Sequence, residues 1–247
     1  MPSLEYDIFL INSSKNPRFD EHEWLILMLQ SLCNNWAEYL KHHISITNNL
    51  FGAPEFPWDQ DISNERVLIS TLAASIVRGN SNAIIAEELP VTKSSSASAN
   101  NAGRCDLWAH LPQENNKPFS FYLEAKKFRR PRKTNEIEKL MRGENGIQRM
   151  LFDYAKSRDG HLDQRSAYSN TRPHDHYIIG LICVPIHEEN IKTTHIKDEF
   201  LKAFSGTYGL ENGSKRRICR FPTVGLHITQ PDKNAAMLTS LTVLGRS

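Results

Sequence analysis

Two short segments of the sequence carry the residue types from which a divalent-cation site can be built. Glu124 and Lys126 stand two positions apart in FSFYLEAKKF (119–128), and Asp106 lies within AGRCDLWAHL (102–111). Side chains alternate along a strand, so Glu124 and Lys126 share one face, and pairing of the two segments as a hairpin would bring Asp106 beside them. Because neighbouring carboxylates repel each other, Lys126 and a hard cation such as Mg²⁺ or Mn²⁺ are expected to balance their charge.

A cation held by these carboxylates would be suited to phosphodiester chemistry. It can contact a phosphate oxygen, lower the pKa of a water molecule and stabilise the leaving oxygen. Lys126 could orient the attacking water or stabilise the negative charge that develops. The simpler interpretation of Glu124 and Lys126 is a surface pair worth a few tenths of a kcal/mol. The strongly apolar run FSFYL before them favours a buried strand instead.

The elements that must position these residues follow from hydrophobic periodicity and turn signals. Apolar residues at helical spacing predict helices, and short apolar runs bounded by turn residues predict strands. The predicted helices are 20–50, 63–78, 135–157 and 191–204, and the predicted strands are 83–93, 102–111, 119–128, 176–186 and 223–230. This order, with three strands in a meander before a helix and a buried strand, predicts an α/β domain around a mixed sheet.

A break in the chain suggests two regions. Residues 51–61, FGAPEFPWDQD, contain two prolines and a glycine, which interrupt regular structure. We therefore predict an N-terminal helical extension over residues 1–58 and a main domain over residues 59–247 that includes a C-terminal extension.

Composition limits the classes of function. The chain has 247 residues and a formal net charge of +2, so any affinity for nucleic acid must come from local basic clusters such as 126–133 and 215–220. The four cysteines form no C-x-x-C pair, which indicates reduced thiols and a cytoplasmic protein. No apolar run approaches the roughly 20 residues that span a bilayer, and the N-terminus does not resemble a signal peptide, so no membrane partner is expected.

The strings GRCDLWAH and FYLEAKKF together resemble the PD-(D/E)xK nuclease superfamily, also called restriction-endonuclease-like. In that superfamily an Asp on the second core strand and a (D/E)-x-K on the third form a metal site, which Asp106, Glu124 and Lys126 match. The resemblance implies a mixed sheet flanked by helices, with Asp106 and Glu124 as metal ligands assisted by the backbone carbonyl of Ala125. It also implies a further carboxylate from the helix before the first strand, for which Glu65 is the candidate.

The same resemblance implies an activity. It predicts a Mg²⁺- or Mn²⁺-dependent nuclease that cleaves DNA by in-line attack of water, leaving 5′-phosphate and 3′-hydroxyl ends, with RNA not excluded. A subgroup similar to RecB-type exonuclease domains carries a Gln on the following helix, which Gln148 matches. Many such nucleases dimerise to cut both strands, so a homodimer is an expectation. The basic run after the site is expected to contact the phosphate backbone through Lys127, Arg129, Arg130, Arg132 and Lys133.

Several alternatives stay open at the level of sequence. The chain could keep this fold and bind nucleic acid without cutting it, or be a subunit of a larger defence or mobile-element complex with its N-terminal helices as the docking surface. Glu87 and Glu88 on the first strand of the meander are rivals for the extra carboxylate, because one of them could face the site. Among restriction, phage defence and DNA processing, no residue selects one role.

Overall fold

The computed structural model describes residues 4–12, 22–51, 65–92, 102–112, 118–128, 176–187, 197–198, 200–201, 207–209, 215–217, 222–230 and 235–246. Its elements in chain order are β1 (Glu5–Asn12), α1 (His22–Phe51), α2 (Glu65–Gly79), β2 (Ile84–Thr92), β3 (Ala102–Leu111), β4 (Phe119–Lys127), β5 (His176–His187), β6 (Thr207–Gly209), β7 (Lys215–Arg217), β8 (Thr223–Gln230) and β9 (Ala235–Arg246). Within these ranges no helix is long and apolar enough to span a membrane.

Among the described strands, seven form one sheet in the order β1-β8-β9-β5-β4-β3-β2. Strands β4 and β5 run parallel, whereas every other neighbouring pair in this sheet is antiparallel. Strands β6 and β7 form a separate two-stranded sheet. The predicted α/β architecture around a mixed sheet is therefore confirmed.

Helices α1 and α2 pack against one face of the large sheet. Alternate residues of β4, including Phe119, Phe121 and Leu123, are at most 1 % exposed and share one apolar core with residues of both helices. Burial of each Phe side chain stabilises the fold by about 1.5–3 kcal/mol. Trp36 of α1 is fully buried, and its Nε1–H donates a hydrogen bond to Thr71 Oγ1 of α2 at 3.0 Å, which satisfies its polar atom and joins the two helices.

The intervening residues of β4 belong to the opposite face, as strand alternation predicts. Tyr122 is buried there in a small cluster with Cys105, against which Trp108 packs. Glu124 and Lys126 follow on the same face and are only half-buried, at the carboxyl end of the strand. On this face of β4 the side chains thus change from buried and aromatic at Tyr122 to half-buried and charged at Glu124.

Strands β1 and β9 have no counterpart among the predicted elements. Strand β9 includes Thr239, Ser240 and Thr242, whose polar side chains mask the strand in the sequence although each is at most 2 % exposed. Strand β1 pairs with β8, and α1 packs into the same core, so the N-terminal region supplies a strand as well as a helix to the sheet domain. The predicted boundary at residue 58 and the helix predicted over 135–157 lie outside the described residues.

Gly225 of β8 leaves room for the ring of Phe9, its partner on β1. A Cβ added at Gly225 would overlap that ring, and Lys197 Nζ lies 4.4 Å from the ring centre, which restricts its movement. We expect Gly225→Ala to lower the free energy of unfolding by about 1–2 kcal/mol in urea titrations. In a Phe9→Ala background the same substitution should cost almost nothing, and an equal cost in both backgrounds would contradict this explanation.

Candidate metal centre

The pairing of β3 with β4 brings Asp106 to the Glu124–Lys126 segment. The two strands are antiparallel, and their paired register ends with Leu107 opposite Leu123, so Asp106 and Glu124 are the next residues beyond its end. Asp106 Oδ2 accepts a hydrogen bond of 2.7 Å from the backbone N–H of Ala125. The arrangement on which the candidate site depends, a hairpin in this register, is therefore present.

Lys126 lies at the centre of the cluster. Its Nζ donates to the backbone carbonyl of Ala125 at 2.9 Å and lies 3.4 Å from Glu124 Oε1 and 3.8 Å from Glu65 Oε2. The other carboxylate oxygen of Glu65 accepts a hydrogen bond of 2.9 Å from the backbone N–H of Lys127. The first residue of α2 is thereby fastened to the carboxyl end of β4.

The cluster carries more negative than positive charge. Among the described residues, Glu124 and Glu65 lie near the ammonium group of Lys126, whose charge also acts on Asp106, so three carboxylates stand against one ammonium group and two negative charges remain in this set when all four groups are ionised. Burial, followed by the charge of Asp106, raises the pKa of Glu124 to about 7, and Lys126 offsets only part of this effect. The site therefore favours a bound proton or a bound cation over full ionisation.

Burial also raises the pKa of Asp106, against the opposing effects of the Ala125 N–H and Lys126. The nearby carboxylates of Glu65 and Glu88 add to the increase. Both strand carboxylates are thus held in surroundings that disfavour their negative charge, and an added positive charge would relieve this in both.

The donor atoms suit a hard divalent cation. The carboxylates of Asp106 and Glu124 and the carbonyl of Ala125 are oxygen donors, the ligands preferred by Mg²⁺ and Mn²⁺. The described part of the chain contains no group of three or more His, Cys, Asp or Glu side chains arranged to hold a metal ion. Mg²⁺ does not need such a cage, because it is commonly bound by one or two carboxylates and retains several waters. These residues therefore fit the cation that the sequence predicts.

Cys105 does not add a soft ligand to this set. Its Sγ donates to the carbonyls of Leu107 and Leu123, at 3.1 and 3.4 Å, and it is fully buried. Burial raises the pKa of this thiol to about 12, so it remains protonated at neutral pH. Since metals bind the thiolate, Cys105 is not a candidate ligand, and the candidate donors are oxygen atoms.

The two glutamates of β2 have different surroundings. Glu87 Oε2 accepts a hydrogen bond of 2.9 Å from Ser70 Oγ of α2. Glu88 lies next to Asp106 across the β2–β3 ladder, which lacks regular pairing at this step, and its charge raises the pKa of Asp106. Glu88, rather than Glu87, is the additional carboxylate near the site.

Arg66 is a neighbour of the site that the sequence pattern does not single out. Its Nη2 lies 3.5 Å from Glu88 Oε1, and its side chain is largely exposed. The available signal was its position beside Glu65 in the first turn of α2. That signal is weak, because a surface arginine in a helix needs no functional explanation.

Glu88 has a backbone φ of 55°, in the left-handed region that side chains with a Cβ seldom adopt. We expect Glu88→Gly to be more stable than Glu88→Ala by about 1 kcal/mol in urea titrations, because glycine adopts this conformation without strain. The same two substitutions at Glu87 should give the opposite order, since glycine weakens a regular strand. Alanine as the more stable variant at position 88 would argue against the strained backbone.

The remaining predicted site residues lie outside the described residues. They are Arg129, Arg130, Arg132, Lys133 and Gln148. Lys127 is described and half-buried, and its backbone N–H binds Glu65. The expected phosphate contacts of the basic run, and the role of Gln148, stay predictions.

Comparison with models of known protein families finds no match. Neither the curated proteins nor the solved structures include one that matches this chain. The chemistry of the centre therefore has to follow from its own residues.

Proposed function

We propose that this protein is a Mg²⁺- or Mn²⁺-dependent nuclease that hydrolyses phosphodiester bonds in DNA. The observation that carries the proposal is the grouping of Asp106, Glu124, Glu65 and Lys126 at the carboxyl end of β4, where Asp106 accepts from the Ala125 N–H and Lys126 lies near both glutamates. The three carboxylates come from α2 and from the consecutive strands β3 and β4, and they leave an excess of negative charge that a divalent cation would balance.

The order of elements supports a restriction-endonuclease-like core for this activity. Helix α2 is followed by β2, β3 and β4, and β5 runs parallel to β4. Asp106 is then on the second strand of this series and Glu124 and Lys126 are on the third, as the resemblance to the PD-(D/E)xK superfamily implies. Glu65 begins the helix that precedes the first of these strands.

In this proposal the residues of the chain have separate roles. Asp106, Glu124 and the Ala125 carbonyl would hold the cation, which when bound neutralises phosphate charge and acidifies water. Lys126 donates hydrogen bonds to the attacking water or to a non-bridging phosphate oxygen. Glu65 positions the end of β4 through the Lys127 N–H and lies near the Lys126 ammonium group.

The reaction would be hydrolysis with inversion at phosphorus. The oxygen of water forms a bond to phosphorus while the bond from phosphorus to the 3′-oxygen breaks in line. The proton lost by water passes to solvent, and the 3′-oxygen leaves with a proton. The products are a 5′-phosphate and a 3′-hydroxyl end.

The proposal is tested by incubating the purified protein with supercoiled plasmid, linear duplex DNA, single-stranded DNA and RNA. Each substrate is treated with Mg²⁺, with Mn²⁺ and with EDTA. We expect nicking or degradation of DNA in either metal and none in EDTA. Binding of DNA with no cleavage in either metal would overturn the proposal in favour of a non-catalytic nucleic-acid-binding module.

A further inference from the structure

We infer that Lys126 is an internal counter-ion that competes with the divalent cation for the same oxygen atoms, so that metal binding releases its ammonium group toward the substrate. The inference rests on the proposed function and assigns Lys126 a role in metal binding at the same site. It concerns the metal-free protein, in which Lys126 would limit metal affinity rather than assist it.

The contacts of Lys126 carry the inference. Its Nζ donates to the carbonyl of Ala125 at 2.9 Å and lies 3.4 Å from Glu124 Oε1, and both atoms belong to the proposed metal ligands. The same Nζ is 3.8 Å from Glu65 Oε2. One ammonium group thus faces oxygens from three residues, which is more than an ordinary surface ion pair provides.

A cation on these oxygens and the ammonium group cannot share the same position. The two positive charges would lie within a few ångströms of each other and repel strongly in a half-buried site. The carbonyl of Ala125 would also have to exchange its hydrogen bond from Nζ for the metal. Metal binding therefore requires the lysine side chain to move away from the ligand oxygens.

The surroundings allow this movement. The side chain of Lys126 is 42 % exposed, whereas that of Glu124 is 27 % exposed. The lysine also has a long flexible stem, so its ammonium group can turn toward solvent while the carboxylates remain. Displacement would leave the ammonium group beside the metal site with donors available to a phosphate oxygen or a water molecule.

Competition predicts the sign of a measurable effect. If Lys126 competes with the metal, then replacing it removes a like charge and frees the Ala125 carbonyl, and metal affinity rises. If Lys126 instead holds Glu124 and Glu65 in place for the metal, the same replacement lowers metal affinity. The two roles for Lys126 therefore predict changes in opposite directions.

The experiment is isothermal titration of Mn²⁺ into metal-free protein without DNA. Lys126→Met keeps most of the apolar stem and is expected to bind Mn²⁺ about tenfold more tightly than wild type, a coupling of ordinary size between two bound groups. Lys197→Met removes the same charge from an ion pair with Asp7 of β1, away from the candidate centre, and should change the affinity by no more than about twofold. Asp106→Asn should weaken binding strongly, which identifies the titrated site.

The outcomes separate this inference from the proposed function. Equal or weaker Mn²⁺ binding by Lys126→Met, with a thermal unfolding curve that shows a folded protein, would overturn the competition. The wild-type protein would still be a nuclease if it cleaves DNA in Mn²⁺. A wild-type protein that neither binds Mn²⁺ nor cleaves DNA would overturn both. Tighter Mn²⁺ binding by Lys126→Met together with slower cleavage would support both.

Discussion

The Glu124→Gln protein is expected to cleave DNA roughly 10²–10³-fold more slowly than wild type at saturating enzyme concentration. Glutamine keeps the size and shape of the side chain, so the fold is retained. The substitution removes the carboxylate charge that lies 3.4 Å from Lys126 and with it a proposed negative ligand for the cation. The measurement is the single-turnover cleavage rate of a labelled duplex, with Mg²⁺ raised until the rate no longer increases.

Glu87→Gln is the matched control for this prediction. It makes the same chemical change on β2, which is separated from β4 by β3 and whose Glu87 carboxylate accepts a hydrogen bond from Ser70 Oγ. Its cleavage rate is expected to stay within about twofold of wild type, as for most surface substitutions away from special features. Equal losses in the two variants, or none in Glu124→Gln, would contradict a role for Glu124 in catalysis.

Glu124→Gln is also expected to make the metal-free protein more stable at pH 8. The pKa of Glu124 is raised in the folded state from its ordinary value of 4.5 to about 7. The folded protein therefore holds a proton on Glu124 that the unfolded chain has lost, and wild-type stability falls as pH rises from about 4.5 to about 7. At pH 8 this difference corresponds to roughly 3 kcal/mol, which Glu124→Gln would recover.

The gain in stability of Glu124→Gln over wild type should depend on pH. In EDTA the Tm of Glu124→Gln should exceed that of wild type by roughly 5–10 °C at pH 8, and the difference should disappear near pH 4.5. Glu87→Gln should show no comparable gain at either pH. A Glu124→Gln protein that is less stable than wild type at pH 8 would mean that the charge of Glu124 stabilises the metal-free fold, which is the opposite of the predicted effect.

The slower cleavage and the higher metal-free stability expected of Glu124→Gln have one common cause. The carboxylate that destabilises the metal-free fold is the same one that is proposed to hold the cation. Residues in functional sites commonly have such a cost, because a site built to bind charge is strained when it is empty. Mg²⁺ should accordingly raise the Tm of the wild-type protein more than that of Glu124→Gln.

Much of the site could be predicted because strand alternation is a local property. The spacing of Glu124 and Lys126 puts them on one face whatever the rest of the fold, and the apolar segment before them predicts β4. Placing Asp106 beside Glu124 required a second assumption about the register in which the two strands pair. The sequence between the two strands does not determine that register. The helix that carries Glu65 was predicted from its apolar stripe, but its attachment to the Lys127 N–H depends on tertiary packing.

The different surroundings of Glu87 and Glu88 and the existence of β9 could not be predicted, and in each case there is a physical reason. The sequence does not distinguish Glu87 from Glu88, because regular alternation fails where Glu88 adopts a positive φ. Strand β9 was missed because its buried Thr239, Ser240 and Thr242 look like residues of a polar loop. Burial of such side chains is decided by pairing with the neighbouring strands β8 and β5, and β5 is distant in the sequence.

The most direct test of the metal-dependent centre compares wild-type and Asp106→Asn proteins purified side by side on one end-labelled duplex. Asparagine keeps an oxygen that can accept from the Ala125 N–H but removes the negative charge. We predict cleavage by the wild type in Mg²⁺ or Mn²⁺, none in EDTA, and a loss of at least about 10²-fold in Asp106→Asn. Cleavage at equal rates by the two proteins, or no cleavage by the wild type in either metal, would contradict a metal-dependent nuclease centre built on Asp106.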